Sequence, residues 1–508
     1  MKIKSDTVNT KPTFKRCKAS DPDMNPDIST QSPMQKLRSA QLTPHQQSIV
    51  YMSLCMGIHF AGHELARAPI QSLFTSKQIG FQNPAALPLA VGTVSPFSIL
   101  VLVLYKRILK KFGPRLALNG STMIYSSFLL VATFLLKYMK VHEMEAGSKL
   151  GNLVNEVTQK DTITFGKLLI FGMFVVQSAN VQFLYTQHWS FLGSVMTPEE
   201  GKIWFAPIAG VGSITSTLAA GNVKHFVDKM GLLGLLSTAA FTIGASAFFA
   251  DKAYGISRKN GFEPSNDGLL KKNDDKKATN VKRKNSDDVQ AKDSNDDKKK
   301  EQKSSIDLFQ RVPILRAMFF EVILSQCLSS VLNLQFMMKV KDTILDDSVR
   351  AGWTGGCYAW INGISGVMQF FILPIITKRV HISYLWLLMP SIMLLFTTIQ
   401  QYADNPSLTL VGCTFLSMKT IEYSLRGQVS ETVFASLDYE SRFIGKQRIN
   451  LFANRLGKSA TAASLFILAT YMEKEGRELD KLLVMVSNVI AGLWLFATLQ
   501  LTRCINDK

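Results

Sequence analysis

Residues 231–250 read Gly231-Leu-Leu-Gly-Leu-Leu-Ser-Thr-Ala-Ala-Phe-Thr-Ile-Gly-Ala-Ser-Ala-Phe-Phe-Ala250, without one charged side chain. A helix rising about 1.5 Å per residue makes this stretch roughly as long as a bilayer's hydrocarbon core is thick, about 30 Å. The next residue is Asp251, and from there to Arg311 the chain is dense in Asp, Lys, Asn and Ser. Such a segment cannot bury a core and reads as a disordered, solvated loop. The abrupt switch sets the fold class as an all-α membrane protein interrupted by a charged segment. The mean hydropathy of +0.12 averages these two kinds of chain.

Outward from this point, similar apolar runs recur on both sides. Candidate spans cover 47–75, 84–108, 116–137, 163–193, 202–226 and 231–250, then 313–340, 351–376, 383–402, 406–436, 446–471 and 479–503. The expected organisation is a tail or weak targeting leader over 1–46 and a six-helix half over 47–250. A disordered charged loop over 251–312, a second six-helix half over 313–503 and a short tail over 504–508 complete it. Prolines inside spans, such as Pro69, Pro96, Pro207 and Pro390, are tolerated where neighbouring helices satisfy the freed backbone groups.

The net charge of +19 raises nucleic acid as a partner. The basic residues, however, flank apolar runs and do not form a stripe interleaved with aromatics, so cytosolic loops explain them better. The connection Tyr105-Lys-Arg-Ile-Leu-Lys-Lys-Phe-Gly-Pro-Arg115 carries cations and no anion, and Lys378, Arg379 and His381 follow the eighth span. Both links, the central loop and both termini are expected on the cytosolic face, whereas 138–162 and 471–479 mix acids with bases. An even number of spans follows, and the recurrence of a basic link at matching positions suggests a repeat-built transporter.

Six scattered cysteines (Cys17, Cys55, Cys327, Cys357, Cys413, Cys504) show no C-x-x-C, so neither a metal nor a disulfide framework is expected. Gly457-Lys458-Ser459 imitates the end of a P-loop, but Phe452 stands where that pattern needs glycine. No nucleophile elbow or catalytic carboxylate pair appears, and an enzyme is not expected. Ionisable residues inside spans do stand out, since each costs at least about 2.5 kcal/mol on insertion scales. Span 1 holds His63, Glu64 and Arg67; span 7 holds Glu321; span 10 holds Lys419, Glu422, Arg426 and Glu431; span 11 holds Arg448, Arg455 and Lys458. Lys419, Glu422 and Arg426, three and four residues apart, are expected on one helix face, as are Glu64 and Arg67. They read either as structural ion pairs or as the wall of a polar cavity. Trp189, Tyr423 and Trp360 are candidates to stack on a base or a ribose, or equally to pack.

Lys419-Thr-Ile-Glu-Tyr-Ser-Leu425, Ser436-Leu-Asp438, Gly445-Lys446 and Arg455-Leu-Gly-Lys-Ser459 together resemble the helix 10–11 region of the nucleotide transporter family. This is the ATP/ADP antiporter family of plastids and obligate intracellular bacteria, distinct from mitochondrial carriers, and the resemblance is compatible with either a plastid envelope or a plasma membrane. Trp189-x-Phe191, Glu200-Gly-Lys202, Asn333-Leu334, the stretch 378–390 and Ile79-Gly80 extend the likeness across most of the membrane part. The resemblance implies twelve helices of the major-facilitator type. It also implies transport of nucleotides such as ATP and ADP, against one another or with phosphate or protons, without a cofactor. The family's charged positions in helices 1, 4 and 7 fall on Gln71, Gln177 and either Gln335 or Phe336. In helix 10 its Phe-Asp-x-x-Lys-Glu becomes Arg426-Gly-Gln-Val-Ser-Glu431, with only the last acid kept.

Arg67 lies four residues before Gln71, and Arg426 four before Ser430. The expected anion site is therefore shifted by one turn, about 6 Å, to Arg67 and Arg426, with Lys419 and Lys458 beside it and its opposing carboxylates neutralised. Glu431, Glu422, Glu64, Arg455 and Lys202 are expected in coupling or gating, and Gln177 and Gln335 along the cavity. The reading is a carrier of a nucleotide or related phosphorylated anion by alternating access. A facilitator-type carrier of another solute, or a transport-dead receptor or scaffold, are its rivals. Trypsin applied to the cytosolic face of sealed membranes is expected to cut within 251–312 and release two halves. Cutting from the opposite face alone would invert the topology.

Overall fold

The computed structural model describes residues 42–150, 165–196, 198–261, 308–403, 405–435, 437, 445–475 and 479–506. Helix α1 is Pro44–Phe74. Helices α2 (86–112) and α3 (114–150) run into one another at Gly113, whose φ of 79° turns the chain. A left-handed residue at a corner is the place where only glycine is unstrained, and Pro114 supplies a pre-set first turn for α3. Helix α4 is Phe165–Val195, and α5 is Pro198–Gly221, resumed after Asn222 over 223–230. Gly231, at φ 71°, makes the second such corner and opens α6 (232–259).

In the second half, α7 is Pro313–Thr343 and α8 is Asp347–Val367, continued through a π-turn at Met368–Ile372 into Leu373–Arg379. Helix α9 is Ile382–Tyr402, and α10 is Leu408–Tyr423 followed after Ser424 by Leu425–Ala435. Helix α11 begins at Lys446–Arg448, widens to a π-helix over Ile449–Leu456, and ends as Gly457–Glu475; α12 is Leu479–Asn506. This order is consistent with the twelve-span reading, and among the described residues six helical stretches are long and apolar enough to cross a membrane by length and composition alone. Two boundaries shift from expectation. Helix α3 runs on to Leu150 where a loop was expected from 138, and α6 runs past Ala250 to Lys259. The tail and most of the central loop, at 1–41 and 262–307, lie outside the described residues.

Packing explains why these helices need a bilayer. Ile124, Phe134, Phe241, Phe371, Tyr384 and Phe496 point outward and are each more than half exposed. In water such a surface would drive association, whereas lipid tails solvate it. With helix and lipid equally apolar, close fit and polar bonds hold the bundle together. The largest buried cluster accordingly draws on both halves, with Leu65, Leu236 and Phe174 beside Phe336, Tyr358 and Phe415.

The halves approach most closely where α5 crosses α8. A Cβ added at Gly355 would sit 2.7 Å from Val223 Cβ and 2.9 Å from the Ala220 carbonyl oxygen. At the end of the bundle carrying the α7–α8 connection, the halves are fastened by buried Arg350. Its Nη2 donates to the Ser72 carbonyl at 3.0 Å, its Nη1 donates to the Ile344 carbonyl at 2.9 Å, and it also pairs with Asp347. Lys341 Nζ adds bonds to the carbonyls of Phe81 at 3.2 Å and Gln82 at 2.8 Å, in the α1–α2 connection. Gly355→Leu is expected to force α5 and α8 apart and to lower stability by about 1–3 kcal/mol. Thermal unfolding of the detergent-solubilised protein checks this, and an unchanged midpoint would refute the close approach.

Candidate functional site

Polar side chains of α1, α7, α8, α10 and α11 converge where the two halves face each other. On α1, Arg67 and Glu64 are one turn apart, and Arg67 Nη1 donates to Glu64 Oε1 at 3.0 Å and Oε2 at 3.3 Å. The guanidinium lies over the Tyr358 ring of α8, with Cζ 4.0 Å from the centroid, and Nη2 donates to the Tyr423 hydroxyl of α10 at 3.4 Å. Gln71, one turn on, donates to the Tyr358 hydroxyl at 3.3 Å. Arg67 is thus an N-half cation held by two C-half aromatics. A desolvated guanidinium over an aromatic face gains about 2 kcal/mol.

Next to Tyr423 stands a second group. Lys419 Nζ donates to Glu422 Oε2 at 2.7 Å and to Ser329 Oγ at 2.9 Å, and Ser329 donates to the same carboxylate oxygen at 3.1 Å. Lys458 Nζ of α11 reaches Glu422 Oε1 at 3.3 Å. One carboxylate therefore serves two ammonium groups. Among the described residues of this cluster, the cations Arg67, Lys419 and Lys458 face the acids Glu64 and Glu422, leaving one positive charge in excess.

Lys419 and Glu422, expected on one face with Arg426, bond each other directly, and Arg426 follows a break in the helix and bonds a different acid. Helix α10 breaks at Ser424, which takes φ −105° and ψ −77° and turns its hydroxyl onto the Thr420 carbonyl at 2.6 Å. The Tyr423 carbonyl accepts instead from Gln369 Nε2 at 2.5 Å, out of the π-turn of α8. Beyond the break Arg426 forks onto Glu321 of α7, Nε to Oε1 at 3.3 Å and Nη2 to Oε2 at 3.1 Å. Trp494 of α12 donates to Glu321 Oε1 at 2.9 Å, and Glu321 is wholly buried. The family's acidic positions in helices 4 and 7 are uncharged here, at Gln177 and Gln335 or Phe336, and two other acids, Glu64 and Glu321, each engage an arginine. Arg426 does not stand free beside Arg67.

The remaining candidates separate. Glu431 is exposed and bonded to Lys446 Nζ at 2.7 Å, joining the end of α10 to the start of α11. Arg455 enters the α2–α11 contact through its carbonyl, which accepts from Ser95 Oγ at 3.1 Å; nearby Ser459 Oγ donates to the Gly92 carbonyl at 3.1 Å. Gln177 is buried in the N-half, its Nε2 3.2 Å from His63 Nε2. Gln335 lines a separate cavity of about 790 Å³ within the C-half, with Lys339, Gln400, Asn405 and Asp480, and not the junction of the halves. The side chain of Lys202 lies outside the described residues. Of the aromatic candidates only Tyr423 is at the junction: Trp360 is 68% exposed on the lipid side and Trp189 packs in an N-half core. Sequence reasoning missed Tyr358 and Ser329, which carry no charge, and Trp494, whose role appears only once α7 and α12 are side by side.

Residues 408–504 match the profile of the TLC ATP/ADP transporter family. No curated protein matches the chain. Among solved structures, the nucleoside transporter NupG aligns at TM-score 0.57 and 10% identity, over 89% of this chain and 99% of that one. A bacterial homologue of the iron transporter ferroportin, in an inward-facing state, aligns at 0.57 and 12%, over 90% and 98%. The POT family transporter PepTSo aligns at 0.54 and 11%, over 92% and 99%. At these identities the likeness establishes the major-facilitator-type fold.

Arg426→Gln is expected to leave the Glu321 carboxylate buried and short of a cation, at a cost of about 3–5 kcal/mol. Adding Glu321→Gln should recover more than half of that loss. Unfolding midpoints of the single and double variants check this, and equal losses would remove the pair from the account.

Proposed function

We propose that this chain, whose residues 408–504 match the TLC ATP/ADP transporter family profile, is a divergent member of that family and moves a nucleotide or related phosphorylated anion across the membrane by alternating access. The observation that carries this reading is the excess cation in the Arg67–Tyr358–Tyr423–Lys419–Glu422–Lys458 cluster, shared between the two halves. A low-dielectric junction does not readily keep an uncompensated positive charge, and an anion arriving there supplies the missing partner. Arg67 offers a planar fork to phosphate oxygens, and Lys419 and Lys458 offer point charges that already compete for one carboxylate. The faces of Tyr358 and Tyr423 are the surfaces on which a base or ribose would rest.

The site's position suits alternating access. Arg67 belongs to one half and its aromatic cage to the other, so a ligand bound between them contacts both as they rock. Glu431–Lys446 and the α2–α11 contacts at Ser95 and Ser459 are the candidates for breaking and re-forming during that motion. The substrate within the class is decided by uptake from a panel of ATP, ADP, other nucleotides and inorganic phosphate into proteoliposomes. Arg67→Gln is expected to lower uptake of the transported anion by tenfold or more, about 1.4 kcal/mol of lost binding. Arg67→Lys should recover only part of it, because it keeps the charge and loses the fork. Uptake equal to the unsubstituted protein in Arg67→Gln would reject this site, and absence of flux for every anion would reject the reading.

A further inference from the structure

Cys55, His59, His63 and Arg67 follow one another at four-residue intervals and so form one stripe along α1. Behind Arg67 this stripe is polar and buried. His63 is 2% exposed, and its Nε2 lies 3.2 Å from Gln177 Nε2 of α4. His59 Nε2 lies 3.3 Å from Asn180 Nδ2, and its Nδ1 3.3 Å from Ser246 Oγ of α6. His188 of α4 meets Cys55 Sγ at 3.2 Å, with its ring 6.0 Å from that of His59. Burying three imidazoles among helices is not needed for packing, since Leu or Phe would fill the space without polar atoms.

One atom in this column has no partner among the described residues: His63 Nδ1. An amide nitrogen only donates, so Gln177 Nε2 makes His63 Nε2 an acceptor and puts the ring hydrogen on Nδ1. Rotating the Gln177 amide presents its oxygen instead, which accepts from a protonated Nε2. The pair therefore accommodates His63 in either protonation state with one side-chain flip.

We propose that His63 is a proton-binding site coupled to anion binding at Arg67, so that transport is linked to proton movement. The inference rests on the reading of Arg67 as part of the anion site. The surroundings of His63 set the sign. On α1 the ionisable neighbours are His59, Glu64 and Arg67, and on α4 they are His188 with the amides Gln177 and Asn180. Residues 234–250 of α6 carry no ionisable group, and past them, where Ser48 donates to the Ala253 carbonyl, Lys252 lies over the Tyr51 ring near the start of α1. From the C-half, Tyr358 and Tyr423 hold Arg67, with Lys419 behind them. A proton on His63 thus adds a cation one helical turn, about 6 Å, from Arg67. Glu64 is already committed to that arginine, so the proton is disfavoured while the anion site is empty.

An anion at Arg67 reverses this balance, and by linkage the proton tightens the anion in equal measure. The step is a proton transfer only. One N–H bond forms at Nε2 from one compartment and the same bond breaks toward the other, with the anion carried in between.

The test uses the full chain in proteoliposomes, with ATP as the probe, read as ATP counterflow without a gradient and as ATP accumulation under an inward proton gradient. The unsubstituted protein is expected to accumulate ATP and to lose this with a protonophore. His63→Gln is expected to keep counterflow but lose accumulation by at least about fivefold, the lower end of coupling between two sites. A pH dye trapped inside the unsubstituted proteoliposomes should acidify when ATP is added, which needs no variant. Accumulation indifferent to the gradient, no acidification, or a His63→Gln variant that responds to the gradient as the parent does would overturn the proposal. Absence of ATP counterflow in the unsubstituted protein would instead remove the anion site itself, and this coupling with it.

Discussion

Arg67 sits where the two halves meet, clamped by Glu64 of its own helix and by the Tyr358 ring and Tyr423 hydroxyl of the other half. An arginine cannot shed its charge, so the surrounding groups must keep that charge supplied with partners. Glu64 answers it electrostatically, Tyr358 through its ring face, and Tyr423 with a hydroxyl oxygen. Gln71 fixes Tyr358 in turn, and Gln369 holds the Tyr423 carbonyl at the break of α10. The positions of α8 and α10 relative to α1 thus depend on how this one cation is satisfied.

The rest of the charge in the C-half divides into a part that is closed and a part that is open. Glu321, Arg426 and Trp494 form a complete set, a forked ion pair with an indole donor on the remaining lone pair, inside one half. That arrangement suits a structural pair. Lys419, Lys458 and Glu422 are incomplete, with two cations on one acid, and they lie beside Tyr423. The same distinction separates Gln335, remote in its own cavity, from the junction. At the α7–α8 end, Arg350 and Lys341 tie the halves through backbone carbonyls, so any cycle that opens this end has to release them first.

Much of this was legible in the sequence. Apolar runs of bilayer length marked the helices, and i to i+3 spacing marked the Glu64–Arg67 and Lys419–Glu422 pairs, whereas the corners at Gly113 and Gly231 appear only in the backbone angles. The rest depended on geometry that no local pattern encodes. Ser424 is no helix breaker by propensity, and it breaks α10 because Gln369, distant in sequence, satisfies the freed carbonyl. Beyond that break Arg426 forks onto Glu321 of α7, a partner that spacing within α10 does not indicate. Neither π-segment, at Met368–Ile372 or Ile449–Leu456, has a composition that sets it apart from ordinary helix. Tyr358 was invisible for a different reason: as an uncharged aromatic in an apolar helix it looks like packing until Arg67 is placed over it.

The central claim is that Arg67 and Lys419, flanking Tyr423 from opposite halves, close together on the phosphate of a transported nucleotide. A cryo-electron-microscopy structure of the full chain with ATP bound tests it most directly. The account predicts phosphate density within hydrogen-bonding distance, roughly 3 Å, of both the Arg67 guanidinium and the Lys419 ammonium group. Density for ATP elsewhere, with Arg67 still closed on Glu64 and Tyr423, would contradict it.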